Sequence, residues 1–347
     1  MTKAGPRNLG HQIDALPWLA RTYRAAFRSG SAESSSLSRF CYRALYYMSH
    51  SFRRTPAWGQ FTLSVGGFRR SIRFDARNRQ FNVLYFDKYK FGYEPDVTAL
   101  MAHFLPQNGV LFDVGSNWGY FPLLVASQKS FSGKVHAFEP MPTTFRDLTS
   151  VIEQAGLCER VTCHELALGD SNGMVSMDCP SHSGLAQVRP QGGRFAVNQC
   201  RLDDLNLESP DFIKLDAEGA EESVLNGARR VLRKSRPMVT FENNRESRSA
   251  DSTLKLLEAL GYQLFCPAHE TTQYESTNTV EPYSDSSTQD SLSNDYLRLL
   301  PITRRTRSFY APYLNLFACA RERIEQVAHC IEEPLPVSAC GASYAAA

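Results

Sequence analysis

The chain of 347 residues is 42% hydrophobic and 21% charged, with 21 glycines and 18 prolines, which excludes disordered, collagenous and coiled-coil classes. No apolar run reaches the 18 residues of a membrane span, and no secretory apolar region is found. Net charge is only +2, yet residues 1–80 hold 14 Lys/Arg against 3 Asp/Glu, so the remainder is acidic. The nine cysteines are odd in number and contain no CxxC pair, which argues against a zinc knuckle or disulfide framework and for a reducing, cytoplasmic location.

Residues 11–28 and 37–52 carry apolar side chains at helical spacing around a Ser-rich stretch, and predict two short helices. Alternating apolar residues on either side of Gly66-Gly67 predict a β-hairpin over 61–74. Together these form a basic N-terminal extension over 1–80. A solvated arginine face is its default reading; phosphate or anionic-lipid contact and an organellar leader are the alternatives. From residue 94 short apolar strands alternate with helices, the pattern of a parallel sheet covered on both faces. The first helix carries Val97, Leu100, Met101, Phe104 and Leu105. Strands are expected at 110–114, 134–138, 161–166, 212–215, 238–241, 262–266 and 313–319, with helices near 119–129, 143–155, 220–233 and 251–260. Segments 174–177 and 199–202 suggest a short edge pair. Residues 270–293 hold 11 Ser/Thr and five Asp/Glu without Lys or Arg, and so read as a mobile loop or lid inside an insert over 270–310. A domain over 81–325 would then be followed by a flexible tail, 326–347.

The most informative segment runs Val110-Leu111-Phe112-Asp113-Val114-Gly115-Ser116-Asn117-Trp118-Gly119-Tyr120, an apolar strand entering a glycine turn and then a helix. Free amides at such a helix start suit an anion. Gly115 permits the turn and Gly119 a close helix–strand approach, but Asn117 stands where a dinucleotide fingerprint needs a glycine for its pyrophosphate. A nucleoside ligand with a carboxylate in place of a pyrophosphate, such as S-adenosylmethionine, does not need that glycine. Twenty residues after Gly119, Glu139-Pro140 closes the next strand, placing a carboxylate where ribose hydroxyls are bound in related folds.

With these residues the chain resembles the FkbM-type S-adenosylmethionine-dependent methyltransferases. The resemblance runs over about two thirds of the chain, through Tyr93-Glu94-Pro95, the turn 113–120, Ala137-Phe138-Glu139-Pro140, Ala167-Leu168-Gly169-Asp170, Leu202-Asp203-Asp204-Leu205 and Asp211-Phe212-Ile213-Lys214-Leu215-Asp216-Ala217-Glu218-Gly219-Ala220-Glu221. Ser116 and Trp118 depart from the family's usual Ala and Ile. The resemblance implies an α/β fold with a doubly wound, mostly parallel seven-stranded sheet, Rossmann-like, whose last strand is antiparallel. It implies cofactor contacts at Glu94, Asp113, Gly115, Ser116, Asn117, Gly119, Tyr120, Glu139, Pro140, Ala167 and Asp216, and methyl transfer to a hydroxyl of a sugar, glycan or natural product. Substrate choice is expected to reside in 1–80, 178–200 or 270–310.

A hydroxyl acceptor must lose its proton as the methyl moves, and Asp216 and Glu218 are the candidate catalytic bases. If Ala217 continues the strand, both carboxylates face one crevice. Cofactor binding or loop support by Asp216, and helix-start duty for Glu218, are the competing readings. A divalent cation on Asp216, Glu218 and Glu242 is possible but not required. The histidines lack ligand spacing; His136 and His164 read as packed or hydrogen-bonded, and His182 ranks below the carboxylates as a base. Trp118 and Tyr120 suit either the cofactor or the core. The rival functions are a methyltransferase acting on RNA or another polyanion, a nicotinamide-dependent oxidoreductase, and a non-catalytic binding module. DNA is not an expected partner, and the oligomeric state is open.

Overall fold

The computed structural model describes residues 8–26, 44–48, 55–65, 67–89, 92–178, 187–189, 193–247, 249–273, 277–282 and 297–331. The chain begins with strand β1 (Gln12–Ala15), helix α1 (Trp18–Ala26) and the hairpin β2 (Trp58–Val65) and β3 (Phe68–Asp75), which form a three-stranded sheet in the order β1-β2-β3. The hairpin lies as expected, with Val65 opposite Phe68. The first predicted helix is shorter, because residues 12–15 pair with β2 instead. Of the second, residues 44–47 are helical, and most of 37–52 lies outside the described residues.

Next come α2 (Pro95–Phe104), β4 (Val110–Val114), α3 (Tyr120–Ala126), β5 (Lys134–Phe138), α4 (Pro142–Ala155) and β6 (Val161–His164). Four short strands, β7 (Ala167–Leu168), β8 (Gly173–Asp178), β9 (Gln187–Arg189) and β10 (Phe195–Cys200), make a separate sheet ordered β7-β10-β8-β9, larger than the expected edge pair. The chain then returns through β11 (Phe212–Leu215), α5 (Glu221–Gly227), α6 (Arg229–Ser235), β12 (Met238–Asn244), α7 (Ala250–Ala259), β13 (Tyr262–Gln273), β14 (Thr277–Pro282), β15 (Leu297–Ile302) and β16 (Tyr313–Ala320). The helix expected over 220–233 is two helices that meet at Ala228.

The main sheet contains the order β13-β16-β12-β11-β4-β5-β6. Strands β12, β11, β4, β5 and β6 are parallel, while β16 runs antiparallel to both β12 and β13, so that β13 shares the direction of the other five. This is the expected doubly wound α/β sheet, with its last strand antiparallel. It is wider than seven strands, since β14 and β15 both pair with β13. Residues from the insert over 270–310 therefore extend the sheet, and the reading of 270–293 as a loop is corrected: β13 and β14 supply a ladder whose backbone pairs regardless of side-chain polarity. Leu297, Leu299, Leu300 and Ile302 are buried on β15. The rest of that Ser/Thr-rich stretch lies outside the described residues. So does the tail from residue 332, although 326–331 packs down, with Val327 and Cys330 buried.

Alternate strand residues face opposite layers. Leu111, Phe212 and Met238 join one core cluster, whereas Phe112, Ile213 and Val239 join the other. The first cluster also contains Leu9, Phe61, Leu63, Ile72, Phe74 and Phe81, so the strands β2 and β3 share the core of the domain instead of standing apart as an extension. A run of aromatic rings makes the join: Phe61 to Phe74 at 6.1 Å, Phe74 to Phe81 at 5.1 Å, and Phe81 to Trp118 at 4.7 Å between centroids. Gln154 on α4 reinforces it, accepting from the Arg73 amide and donating to the Arg73 carbonyl. Three arginines of the hairpin and the turn after it are engaged locally. Arg70 lies over Phe68, Arg73 over Trp58, and Arg77 pairs with Asp75.

Phe74→Ala should therefore lower unfolding free energy by about 3–5 kcal/mol, the range for a buried phenylalanine. Chemical denaturation checks this, and a loss under about 1 kcal/mol would detach the N-terminal sheet from the core.

Candidate active site

A cleft of about 960 Å³, its open mouth included, lies beyond the carboxyl ends of β4, β5 and β11. That is where an open α/β sheet binds its ligand. Gly115, Ser116, Asn117, Tyr120, Glu139, Pro140, Ala167, Asp216 and Glu218 line it, as their sequence positions implied. Glu94, Asp113 and Gly119 do not. Asp113 is fully buried beneath the cleft floor, Glu94 stands at the start of α2, and Gly119 abuts α4, where an added Cβ would come within 2.7 Å of Leu148 Cδ1.

The glycine turn is tighter than its sequence suggests. Gly115 has φ +79°, and a Cβ there would lie 1.8 Å from the Asp216 carbonyl oxygen, so only glycine lets the β4 turn meet the end of β11. Asn117 adopts φ +50°, the left-handed conformation that asparagine tolerates better than most residues, and its Oδ1 accepts from the Trp118 amide at 2.8 Å. The amides of 115–119 are not free for an anion. Those of Gly115 and Ser116 donate to the Phe138 carbonyl, that of Asn117 to Glu139 Oε2, and that of Gly119 to the Ser116 carbonyl. The expected carboxylate site on these amides is thus filled by the protein itself.

Trp118 belongs to the core. It is 2% exposed, and its Nε1 donates to the Gln80 carbonyl at 3.1 Å. Gln80 and Val83 in turn line the cleft, a contribution from the N-terminal side that no motif signalled. Ser116 Oγ donates to the Asp113 carbonyl at 2.7 Å, so the other family departure is satisfied locally.

Glu139 accepts the Asn117 amide on Oε2 at 3.0 Å and the Met141 amide on Oε1 at 2.9 Å. Burial nevertheless pushes its carboxyl up to about 7, outweighing both hydrogen bonds. Each oxygen keeps a second lone pair for a hydroxyl.

Lys214 was quoted within a motif, but its role was not legible. It is 5% exposed, donates to Asp216 Oδ2 at 3.1 Å and lies 3.9 Å from Asp113 Oδ1. Its ammonium also faces the Phe121 ring at 5.2 Å. Asp216, Asp113 and Glu94 hold the lysine pKa above its ordinary value despite desolvation. Both Asp113 oxygens are buried without a hydrogen-bond partner, and burial raises that carboxyl. Glu94 rises to about 8 for the same reason.

Around Asp216 stand two further carboxyls. Glu242, on the neighbouring strand β12, is pushed to about 7, first by burial and then by the Asp216 charge. Glu218 is pushed to about 8 by burial and by Asp216. It reaches the cleft by a turn and not by a continued strand: β11 ends at Leu215, and Glu218 and Gly219 take φ +50° and +96°. Three of the four described non-glycine residues with positive φ, Glu94, Asn117 and Glu218, thus surround this site. Glu221 holds the turn, its Oε1 accepting from the Ala217 and Gly219 amides. Among the described residues no group of three or more His, Cys, Asp or Glu side chains is arranged to hold a metal. His136 and His164 bond to each other at 3.0 Å and His136 to Glu208 at 2.8 Å, away from the cleft lining; His182 lies outside the described residues.

Raised carboxyls bind protons in the folded chain that the unfolded chain has already lost. Their contribution to stability is full below about 4.5 and is lost as pH rises through their folded values of about 7–8. Glu139→Gln removes one such group, so its melting temperature should gain on that of the parent as pH goes from 5 to 8. Thermal unfolding of both proteins across that window checks the sign, and a gap moving the other way would contradict the burial.

Residues 101–264 match the family model of the methyltransferase FkbM domain. A hexuronic acid methyltransferase, AglP, of Haloferax volcanii is 31% identical over 146 residues, covering 40% of this chain and 58% of that protein. A 2-O-methyltransferase, NoeI, of Sinorhizobium fredii is 27% identical over 160 residues, 40% of this chain and 64% of that one. The chain thus spans about three fifths of the length of these curated relatives. A crystal structure of methyltransferase FkbM from Methylobacillus flagellatus aligns at 22% identity and a TM-score of 0.36, covering 46% of this chain and 39% of that one. The motifs from the glycine turn to the Asp216 turn lie inside the matched segment, and it is through residues 101–264 that the chain is similar to the FkbM methyltransferase domain.

Proposed function

We propose that the chain is an S-adenosylmethionine-dependent O-methyltransferase acting on a hydroxyl of a sugar or similar small molecule, in a reducing compartment. The observation that carries this reading is that Asp216 and Glu218 line the same cleft as Glu139, with Glu242 on the neighbouring strand close enough to feel the Asp216 charge. The names of the two curated relatives support the sugar, and six described cysteines, all free thiols, support the compartment.

The residues present fit that cofactor. Glu139 offers one lone pair on each oxygen to the ribose hydroxyls. Phe138, Leu166, Leu168 and Met177 supply an apolar wall for the base. The acids around Lys214 suit a cationic amino-acid end, with the Asp113 carboxyl, 3.9 Å from the lysine ammonium and without a hydrogen bond, beneath them. When bound, the cofactor supplies an electrophilic methyl group, its S–C bond breaking as the acceptor's O–C bond forms.

Asp216 takes the acceptor proton on its carboxylate, and Lys214 holds that carboxylate in place through Oδ2. Glu242 and Glu218 set the local charge. As they ionise, the added negative charge favours departure of the proton from the acceptor hydroxyl. Positioning of the hydroxyl against the methyl supplies much of the acceleration. Lys214 is the one cation among the described cleft-lining residues and is engaged with Asp216, which counts against a polyanionic acceptor. Among the described residues no helix is long and apolar enough to cross a membrane.

Asp216→Asn should lower kcat by about 10²-fold or more, the scale of a lost general base, while S-adenosylhomocysteine affinity stays within a few-fold. Equal loss of both would make Asp216 a binding residue. Turnover should climb from pH 6 to 8.5 as carboxyls raised to about 7 and about 8 lose their protons, and Glu218→Gln should remove the upper part of that rise. An unchanged pH–rate profile would take Glu218 out of the mechanism.

A further inference from the structure

A second cavity, of about 1020 Å³ with its open mouth included, lies beside the first cleft and shares Glu218 with it. The end of β12 (Glu242, Asn243, Asn244), the turn after it (Glu246, Ser247, Ser249) and Tyr313 at the start of β16 form its walls. Resting on the methyltransferase reading, we propose that this cavity is the acceptor subsite and that it selects hydroxylated acceptors bearing an amine, against sugars carrying a carboxylate or phosphate.

Position is the first argument. Glu242 lies in this wall, and the pairing of Leu215 with Phe241 sets the end of β12 beside the end of β11, so a hydroxyl bound here sits next to the proton-accepting group. The second is rigidity. Asn243 Nδ2 donates to the Ala250 carbonyl and its Oδ1 accepts from Arg307 Nε, Ser247 and Ser249 bond to each other, and Asn244 Oδ1 accepts from the Glu246 amide. A rim held in this way presents fixed acceptors to a polar ligand. Tyr313 is 58% exposed and offers a flat face to a sugar ring.

Charge is the third argument, and it decides the class. Glu218, Glu221, Glu242 and Glu246 line the cavity, and no Lys or Arg appears among its described lining residues. The nearest arginines are committed elsewhere. Arg307 donates to Asn243 and to the Ala311 and Pro312 carbonyls, and Arg245 to the Ser308 and Tyr310 carbonyls. Arg248 lies outside the described residues. An anionic acceptor would face these carboxyls with no described counter-charge, whereas an ammonium would pair with Glu246 and draw the buried Glu218 and Glu242 carboxyls into their charged form.

The test uses the full chain with methyl glucoside, glucosamine and glucuronate as probes, read by saturation-transfer NMR with and without S-adenosylhomocysteine and by transfer of labelled methyl. Glucosamine should bind at least tenfold more tightly than glucuronate, with methyl glucoside between them. Glu246→Lys should shrink that ratio at least fivefold and Tyr313→Ala should weaken all three, both without changing S-adenosylhomocysteine affinity. Glucuronate binding as well as glucosamine, binding of none of the three, or indifference to both substitutions would overturn the proposal. Because the NMR arm reads the cavity without cofactor, failure of the methyltransferase reading shows separately, as absence of S-adenosylhomocysteine binding and of any methyl transfer.

Discussion

One buried lysine sets the terms for everything at the carboxyl edge of this sheet. Three acids, Glu94, Asp113 and Asp216, converge near the ends of β4 and β11, and Lys214 is the cation that permits it. Taking like charges out of water is prohibitive without such compensation. The compensation is incomplete, since one ammonium faces three carboxyls, and burial keeps Glu94 and Asp113 above the ordinary carboxylate range. A cleft that remains short of positive charge is one that a cationic ligand completes. Asp216 lies within hydrogen-bonding reach of the lysine yet borders the cavity, and so joins the buried network to the place where a proton can be accepted.

The second constraint is steric. Gly115 lets the turn after β4 press on the Asp216 backbone, and the aromatic run from Phe61 through Phe74 and Phe81 to Trp118 fixes the far side of that turn. The N-terminal sheet is therefore part of the binding machinery. It carries Gln80 to the cleft and caps the Trp118 indole with the Gln80 carbonyl. A tryptophan at that position is costly without such a partner and, with it, locks two parts of the fold together.

Legibility followed periodicity and local chemistry. The parallel strands and the glycine turn could be read because apolar runs and φ-demanding residues are local signals. Asn117 shows the limit. Its identity argued correctly against a pyrophosphate fingerprint, but its left-handed backbone and the capture of its amide by Glu139 are tertiary facts. The approach of Glu242 to Asp216, by contrast, could be read, because both follow apolar runs that form adjacent parallel strands. The Ser/Thr-rich insert was misread because composition speaks of side-chain burial, while β14 is held through its backbone pairing with β13. Lys214 sat in an apolar strand context that gives no sign of three carboxylates arriving from elsewhere.

Calorimetric titration of the chain with S-adenosylhomocysteine tests the central claim most directly. A single site per chain, with NADH giving no heat, is the result this structure predicts. Tight NADH binding with no response to S-adenosylhomocysteine would contradict it.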